Sequence, residues 1–259
     1  MKIAVIGCYG YVGRAYYSFF KRRYQVIGYD IAVPTDLSSG APYSKDAVNK
    51  CDMAVICVPT PMRDDGYCDT SIVDEVLSWL EHDLILIKST ISPDFAKKLD
   101  DRCVFSPEYI GEGGYVVEWW NNKPHPTDPA YHNFHIFGGQ RSQTQKCVDV
   151  FQKIAGARCR YFQTDAMTAC LVKYMENSYI GTIVTFCNHW FNICEQFGVD
   201  YREARELLLA DERMNREFTC VYPDSRGFGG KCLPKDISAI ARSSGDTFMQ
   251  ALLDNNNYE

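Results

Sequence analysis

At 259 residues, 46% of them hydrophobic and with a formal net charge of -6, the chain can bury a large core in one domain or two. It has no long basic run and no apolar stretch near the roughly 20 residues of a membrane span, which excludes a nucleic-acid surface and a membrane anchor from the expected roles. Twelve cysteines without one C-x-x-C, in a chain that opens directly on a strand-like Met1 to Ile6, fit reduced thiols in a cytoplasmic protein better than disulfides or a metal centre.

The run from Lys2 to Ile6 reads as a buried parallel strand. It leads into Gly7-Cys8-Tyr9-Gly10-Tyr11-Val12-Gly13 and then into a helical pattern from Arg14 to Arg23. Strand, glycine turn and helix is the setting in which a pyrophosphate meets bare backbone N–H groups at a helix start. Gly7, Gly10, Tyr11, Val12 and Gly13 are therefore candidate cofactor contacts, although the spacing is G-x-x-G-x-x-G. A second strand, Tyr24 to Asp30, ends in a carboxylate 20 residues beyond Gly10. An acid there receives adenosine ribose hydroxyls and disfavours a 2′-phosphate, so NAD is expected rather than NADP.

A short segment rich in Pro, Ser, Gly and Asp follows, then a strand from Met53 to Val58 that enters Pro59-Thr60-Pro61. Ser71 to Leu80 is amphipathic. Leu84 to Ile87 is another strand, and it delivers Lys88-Ser89-Thr90 at its carboxyl end, where open α/β sheets place ligands. Cys103 to Phe105 leads into Ser106-Pro107-Glu108-Tyr109-Ile110-Gly111-Glu112-Gly113. Four residues apart on a helical turn, Glu108 and Glu112 would share a face. Trp119 and Trp120 could pack against a base or sugar, or simply be buried. A strand at Phe134 to Phe137, a helix from Thr144 to Ile154 and a strand at Arg160 to Phe162 complete a first domain, residues 1–164.

The alternation then stops. Residues 165–259 read as a mainly helical domain, beginning with a proline-free helix from Asp165 to about Phe197. Lys173, Asn177 and Asn188 lie on one stripe of it. Tyr201 to Leu209 is a further helix, followed by Asp211-Glu212-Arg213. In Gly227-Phe228-Gly229-Gly230-Lys231-Cys232-Leu233-Pro234-Lys235-Asp236 a thiol, a cation and a carboxylate meet within one glycine-rich turn. One or two helices follow it.

This last run resembles the cysteine loop of the UDP-glucose/GDP-mannose dehydrogenase family, G-x-G-G-x-C-x-P-K-D. Other motifs follow in family order. Gly10 to Gly13 matches the second half of G-x-G-Y-V-G, Val58 to Pro61 matches V-P-T-P, and Lys88 to Thr90 matches K-S-T. Ser106 to Gly113 is similar to N-P-E-F-x-x-E-G with a serine in place of the asparagine. Lys173 and Asn177 match K-x-x-x-N, and Asp211 to Arg213 resembles D-x-R. The chain departs from the pattern at Asn188-His189, where relatives commonly have N-E, and at Pro223 to Arg226.

The resemblance implies a Rossmann-type parallel sheet domain followed by a helical one, NAD as cofactor and a nucleotide sugar as substrate. It implies oxidation of a primary alcohol to the carboxylate through a Cys232 thiohemiacetal and thioester, with no metal. Lys173 and Asn177 would stabilise oxyanions, Thr90 and Asp236 would hold a water, and Glu108 would be a further acid or base. Val58, Pro59, Thr60, Ser89 and Thr90 would line the cofactor. Glu108, Tyr109, Ile110, Glu112, Lys173, Asn177, Arg213, Phe228 and Gly229 would meet the substrate. It further implies a homodimer through the helical domain, and a short form or fragment lacking the family's third, nucleotide-gripping domain. A 3-hydroxyacid-type dehydrogenase without covalent catalysis and an inactive NAD-binding remnant stay open.

Overall fold

In a computed structural model of the chain, which describes residues 1–32, 44–110 and 127–258, the apolar runs pair into one sheet of seven strands. These are β1 (Lys2–Ile6), β2 (Gln25–Tyr29), β3 (Met53–Ile56), β4 (Ile85–Ile87), β5 (Cys103–Phe105), β6 (Phe134–Gly138) and β7 (Arg160–Thr164). Their order is β2-β1-β3-β4-β5-β6-β7, and every neighbouring pair is parallel except β5 with β6, which meet antiparallel at Phe105 and Gly138. β3, β4 and β5 are buried at every position, as expected of strands covered on both faces. The expected Rossmann-type architecture is therefore present, with that one antiparallel junction.

Contacts divide the chain into a unit of Met1–Pro61 and Asp69–Lys173 and a unit of Met62–Cys68 and Tyr174–Glu259. The first holds the sheet with α1 (Tyr11–Lys21), α2 (Lys45–Asn49), α3 (Ser71–Trp79), α4 (Pro93–Ala96) and α5 (Arg141–Ala155). Tyr16, Phe19 and Phe20 from α1 pack with Phe137 from β6 and Phe151 from α5. The second unit carries most of α6 (Ala166–Gln196), with α7 (Tyr201–Leu208), α8 (Leu233–Ser244) and α9 (Thr247–Asp254).

A boundary drawn from sequence at 164/165 follows the end of the strand-helix alternation, whereas by contact the division falls inside α6, between Lys173 and Tyr174. The reason is local. Asp165 caps α6 by accepting from Thr168 N at 2.8 Å and Thr168 Oγ1 at 2.6 Å. The first turns then pack on the sheet unit, where Cys170 Sγ donates to Ile91 O at 3.2 Å and a Cβ on Gly138 would come within 2.5 Å of Ala169 Cβ. Residues 62–68 belong with the second unit because Ser238 Oγ on α8 donates to Gly66 O at 3.0 Å and Tyr67 Oη donates to Arg242 O at 3.2 Å.

Along α6, Met175, Tyr179, Phe186 and Trp190 are exposed, and so is Phe197 just beyond its end. Their steps of four and seven residues line them up on one face. Among the described residues no helix is long and apolar enough to cross a membrane.

His135 on β6 is 4% exposed, between the rings of Phe151 and Tyr161. Burial, with Lys88 and His132 nearby, pushes its pKa well below the ordinary 6.5. The unfolded chain takes up a proton near pH 6.5 that the folded ring refuses, so stability is held above that pH and lost as pH falls through it. The unfolding free energy is expected to fall between pH 7 and 5, and His135→Phe to flatten that fall by up to about 1.4 kcal/mol per pH unit. Denaturation of both forms across that range measures it, and equal slopes would clear His135.

Candidate active site

At the end of β1 the sheet unit forms the glycine turn expected to hold a nucleotide. Gly7 takes φ +79° and donates its N–H to Tyr29 O at 2.8 Å, joining the turn to β2. A Cβ on Gly7 would lie 2.6 Å from Cys57 O, and one on Gly13 would lie 2.0 Å from Gly7 O. Only glycine lets α1 start this close to the turn. Gly10 is the N-cap of α1 and no side chain caps the helix, so its N-terminus is presented to an anion.

Asp30 follows β2 directly. Its Oδ2 accepts from Tyr9 N at 2.8 Å and its Oδ1 from Ala32 N at 3.0 Å. Tyr9 lies within the stretch that lengthens the glycine spacing, so the carboxylate holds the departure in place. Each carboxylate oxygen has two lone pairs, so Asp30 can also accept from ribose hydroxyls. Bare turn, uncapped helix and acid together fit a dinucleotide. Beside them Ser89 Oγ donates to Val58 O at 2.7 Å, tying together the segments after β3 and β4. Thr60 is buried, Val58 and Thr90 are half-buried, and Pro59 is exposed.

Under this surface Lys88 is buried. Its Nζ donates to Ser106 Oγ at 3.0 Å and Pro107 O at 2.8 Å, lies 3.3 Å from Glu108 Oε2, and sits 4.8 Å from the centre of the Tyr16 ring. Burial lowers the pKa of Lys88, with Glu108 opposing the shift. Ser106, the residue that departs from the asparagine pattern, is thus a partner of this lysine. Glu108 Oε1 accepts from the N–H groups of Tyr109 and Ile110, both at 2.8 Å.

The expectation of a helical turn carrying Glu108 and Glu112 is corrected for residues 106–110, which form no helix; there the Glu108 carboxylate accepts from those two N–H groups itself. Glu112, Gly111, Gly113, Trp119 and Trp120 lie outside the described residues. Lys173 Nζ stands 5.0 Å from the centre of the Tyr109 ring, which brings it to the Glu108 segment.

In the helical unit, Cys232 is the N-cap of α8 and Pro234 lies in its first turn. Asp236, one turn in, is 1% exposed. Its Oδ2 accepts from Asn177 Nδ2 at 2.6 Å and its Oδ1 from Lys235 Nζ at 2.5 Å. Burial opposes the charge on Lys235 most strongly, but the Asp236 carboxylate, together with Cys68 and Cys232, raises the lysine pKa overall. Ten of the twelve cysteines are buried, while Cys220 and Cys232 are exposed. Burial pushes Cys8 up to about 11 and Cys103 up to about 12, unsuited to nucleophilic work.

Three other expected residues sit differently. Arg213 is exposed and paired with Asp211, Nη2 to Oδ2 at 2.5 Å. Phe228, expected to meet the substrate, is 6% exposed, packs with Ile237 and Leu252, and has its backbone N–H and C=O bound by Asn256. Asn188, on the same stripe as Lys173 and Asn177, accepts from Arg226 Nε at 2.5 Å. Gly229 remains open, with no atom within 4 Å of where a Cβ would stand. Sequence reasoning missed Arg226 and Asn256. The only signals were an arginine abutting the glycine run and the polar Asn255-Asn256-Asn257.

Fold and glycine turn together define a Rossmann-type dinucleotide-binding unit with an attached helical unit. Sequence profiles of the UDP-glucose/GDP-mannose dehydrogenase family match twice, its NAD binding domain over residues 36–124 and its central domain over residues 167–257. The chain belongs to that family. UDP-glucose 6-dehydrogenase from Rickettsia typhi is 28% identical over 213 residues, 76% of this chain and 46% of the relative. UDP-N-acetyl-D-mannosamine dehydrogenase from Methanococcus vannielii is 29% identical over 274 residues, covering 91% and 60% of the two chains. A UDP-glucose dehydrogenase from the hyperthermophilic archaeon Pyrobaculum islandicum superposes with a TM-score of 0.78 at 24% identity, over 98% of this chain and 67% of that one. The chain thus spans about half the length of the first of these relatives.

Asp30→Asn keeps an acceptor for Tyr9 N–H and removes the charge. Its ratio of NADP to NAD affinity is expected to rise about tenfold, read by calorimetric titration with each cofactor. Equal affinities in the parent chain would remove Asp30 as the discriminator.

Proposed function

We propose that the chain oxidises the primary alcohol of a nucleotide sugar to a carboxylate in two NAD-linked steps. The observation that carries this reading is the exposed Cys232 at the start of α8, one turn ahead of a buried Asp236 held by Asn177 and Lys235. Bound NAD would supply the hydride acceptor at each oxidation. In the first step Thr90 and Asp236 hold the water that takes the alcohol proton, and the carbon loses hydride to become an aldehyde. Cys232 thiolate then adds to the aldehyde carbon. The resulting thiohemiacetal loses a second hydride, leaving a thioester, and water breaks the carbon-sulfur bond to release the acid and regenerate the thiol.

Lys173 and Asn177 stabilise the alkoxide and the tetrahedral oxyanions. Asn177 can do so because its amide has a second N–H beyond the one given to Asp236. Glu108 serves as further acid or base, and Tyr109, Ile110, Arg213 and Gly229 lie on the sugar side. UDP-glucose, UDP-N-acetyl-D-mannosamine and GDP-mannose are the substrates to offer. Two NADH per sugar consumed are expected with the true one. In Cys232→Ser acid formation should fall at least a thousandfold with NAD affinity kept. One NADH per sugar, unaffected by that substitution, would instead mark a simple alcohol dehydrogenase, and NAD binding without any reduction an inactive remnant.

The chain is also proposed to form a homodimer through the exposed apolar face of α6, since a patch of this extent is normally covered. Light scattering is expected to give a dimer for the parent and a monomer for Trp190→Glu with Phe197→Glu. A monomeric parent at micromolar concentration would overturn the assignment.

A further inference from the structure

We propose that Asn256 and Tyr258, which follow α9, form a clasp that positions the cysteine loop. The inference uses the reading of Cys232 as nucleophile only for its catalytic consequence. Asn256 meets Phe228 as a neighbouring strand would: Phe228 N donates to its Oδ1 at 2.8 Å, and its Nδ2 donates to Phe228 O at 2.8 Å. A single carboxamide thus satisfies both backbone polar groups of a buried residue four positions before Cys232.

The preceding residues are held from the same side. Gly227 takes φ +74°, and a Cβ there would lie 2.5 Å from Asn256 Oδ1 and 2.9 Å from the Tyr258 ring. Arg226 has its guanidinium carbon 5.0 Å from the centre of the Tyr258 ring and 4.5 Å from that of Phe191 on α6. Its Nε donates to Asn188 Oδ1 at 2.5 Å, and its Nη2 to Asn188 O at 2.9 Å and Asn192 Oδ1 at 2.8 Å. Gly227 N adds a bond to Asn188 Oδ1 at 3.3 Å. Three consecutive residues, 226 to 228, are therefore fixed between α6 and the clasp.

Beyond Phe228 the character of the chain changes. Gly229 and Gly230 have nothing within 4 Å of a Cβ position, and Lys231 and Cys232 are exposed. The loop regains a fixed point only in the first turn of α8, where Asp236 N donates to Cys232 O at 2.9 Å. Two anchors separated by an open glycine pair determine where the sulfur stands, and the clasp is the first of them. Asn256 and Tyr258 are positioning residues, since they act through Phe228 and Gly227.

The test reads the thiol directly. The full chain is treated with iodoacetamide below its melting temperature, and alkylation of Cys232 is compared with that of the other exposed thiol, Cys220, by peptide mass spectrometry. In Asn256→Ala the ratio of Cys232 to Cys220 rates is expected to change at least threefold. Asn256→Asp, which keeps the acceptor for Phe228 N–H and loses the donor, should fall between it and the parent. Tyr258→Ala should shift the ratio and Tyr258→Phe should restore it, which gives a second route if Asn256→Ala does not fold. A lowered melting temperature with an unchanged ratio in the folded variants would overturn the clasp, leaving these residues a purely structural role. If the sugar panel yields no NADH the oxidation reading fails, yet the alkylation ratio still decides this proposal. If it does yield NADH, Asn256→Ala is expected to lower kcat about tenfold with a smaller change in KM.

Discussion

The buried carboxylate of Asp236 is the constraint on which the helical unit is built. It lies inside packed helices, where an ionised group without partners is strongly disfavoured, and it finds them in Asn177 of α6 and the neighbouring Lys235. The bond to Asn177 ties α6 to α8, and removing that donor would cost roughly 1–3 kcal/mol. It also fixes the rotation of α8 about its axis. Cys232 stands four residues earlier as the N-cap, before the helix proper begins, and is exposed while Asp236 is buried.

The sheet unit solves a similar problem with Lys88. A buried ammonium needs oxygen partners, and Ser106, Pro107 and Glu108 supply them. That arrangement gives the chain leaving β5 its course, and it accounts for a serine where a longer amide stands in the family pattern. The same economy appears at the glycine turn, where the residue that lengthens the spacing donates its N–H to Asp30. Departures from a motif are here compensated by the neighbours they touch.

Much of this was legible in the sequence where burial is two-sided or periodic. β3, β4 and β5 are apolar at every position because both faces are covered, and α6 is long because no proline interrupts it. Other features depend on partners too distant for a pattern to reveal. Glu108 was expected on a helical turn, but residues 106–110 are not helical, and its carboxylate accepts from the N–H groups of Tyr109 and Ile110 instead. Asn188 shares an angular stripe with Lys173 and Asn177, and angle alone does not reveal that Arg226 claims it. Phe228 stands in a glycine-rich run that suggests exposure, and only the pairing with Asn256, 28 residues on, makes it an anchor.

The placement of residues 62–68 bears on how the molecule is made. This segment lies between strands of the sheet unit, yet its hydrogen-bond partner Ser238 comes 172 residues after Gly66. During synthesis the sheet can assemble long before α8 leaves the ribosome, so this segment must wait, unsupported, while most of the polypeptide is still being made. Final closure of the helical unit is thus a late event of high contact order, and a ribosome stalled before α8 would leave that segment exposed to proteases and to chaperones.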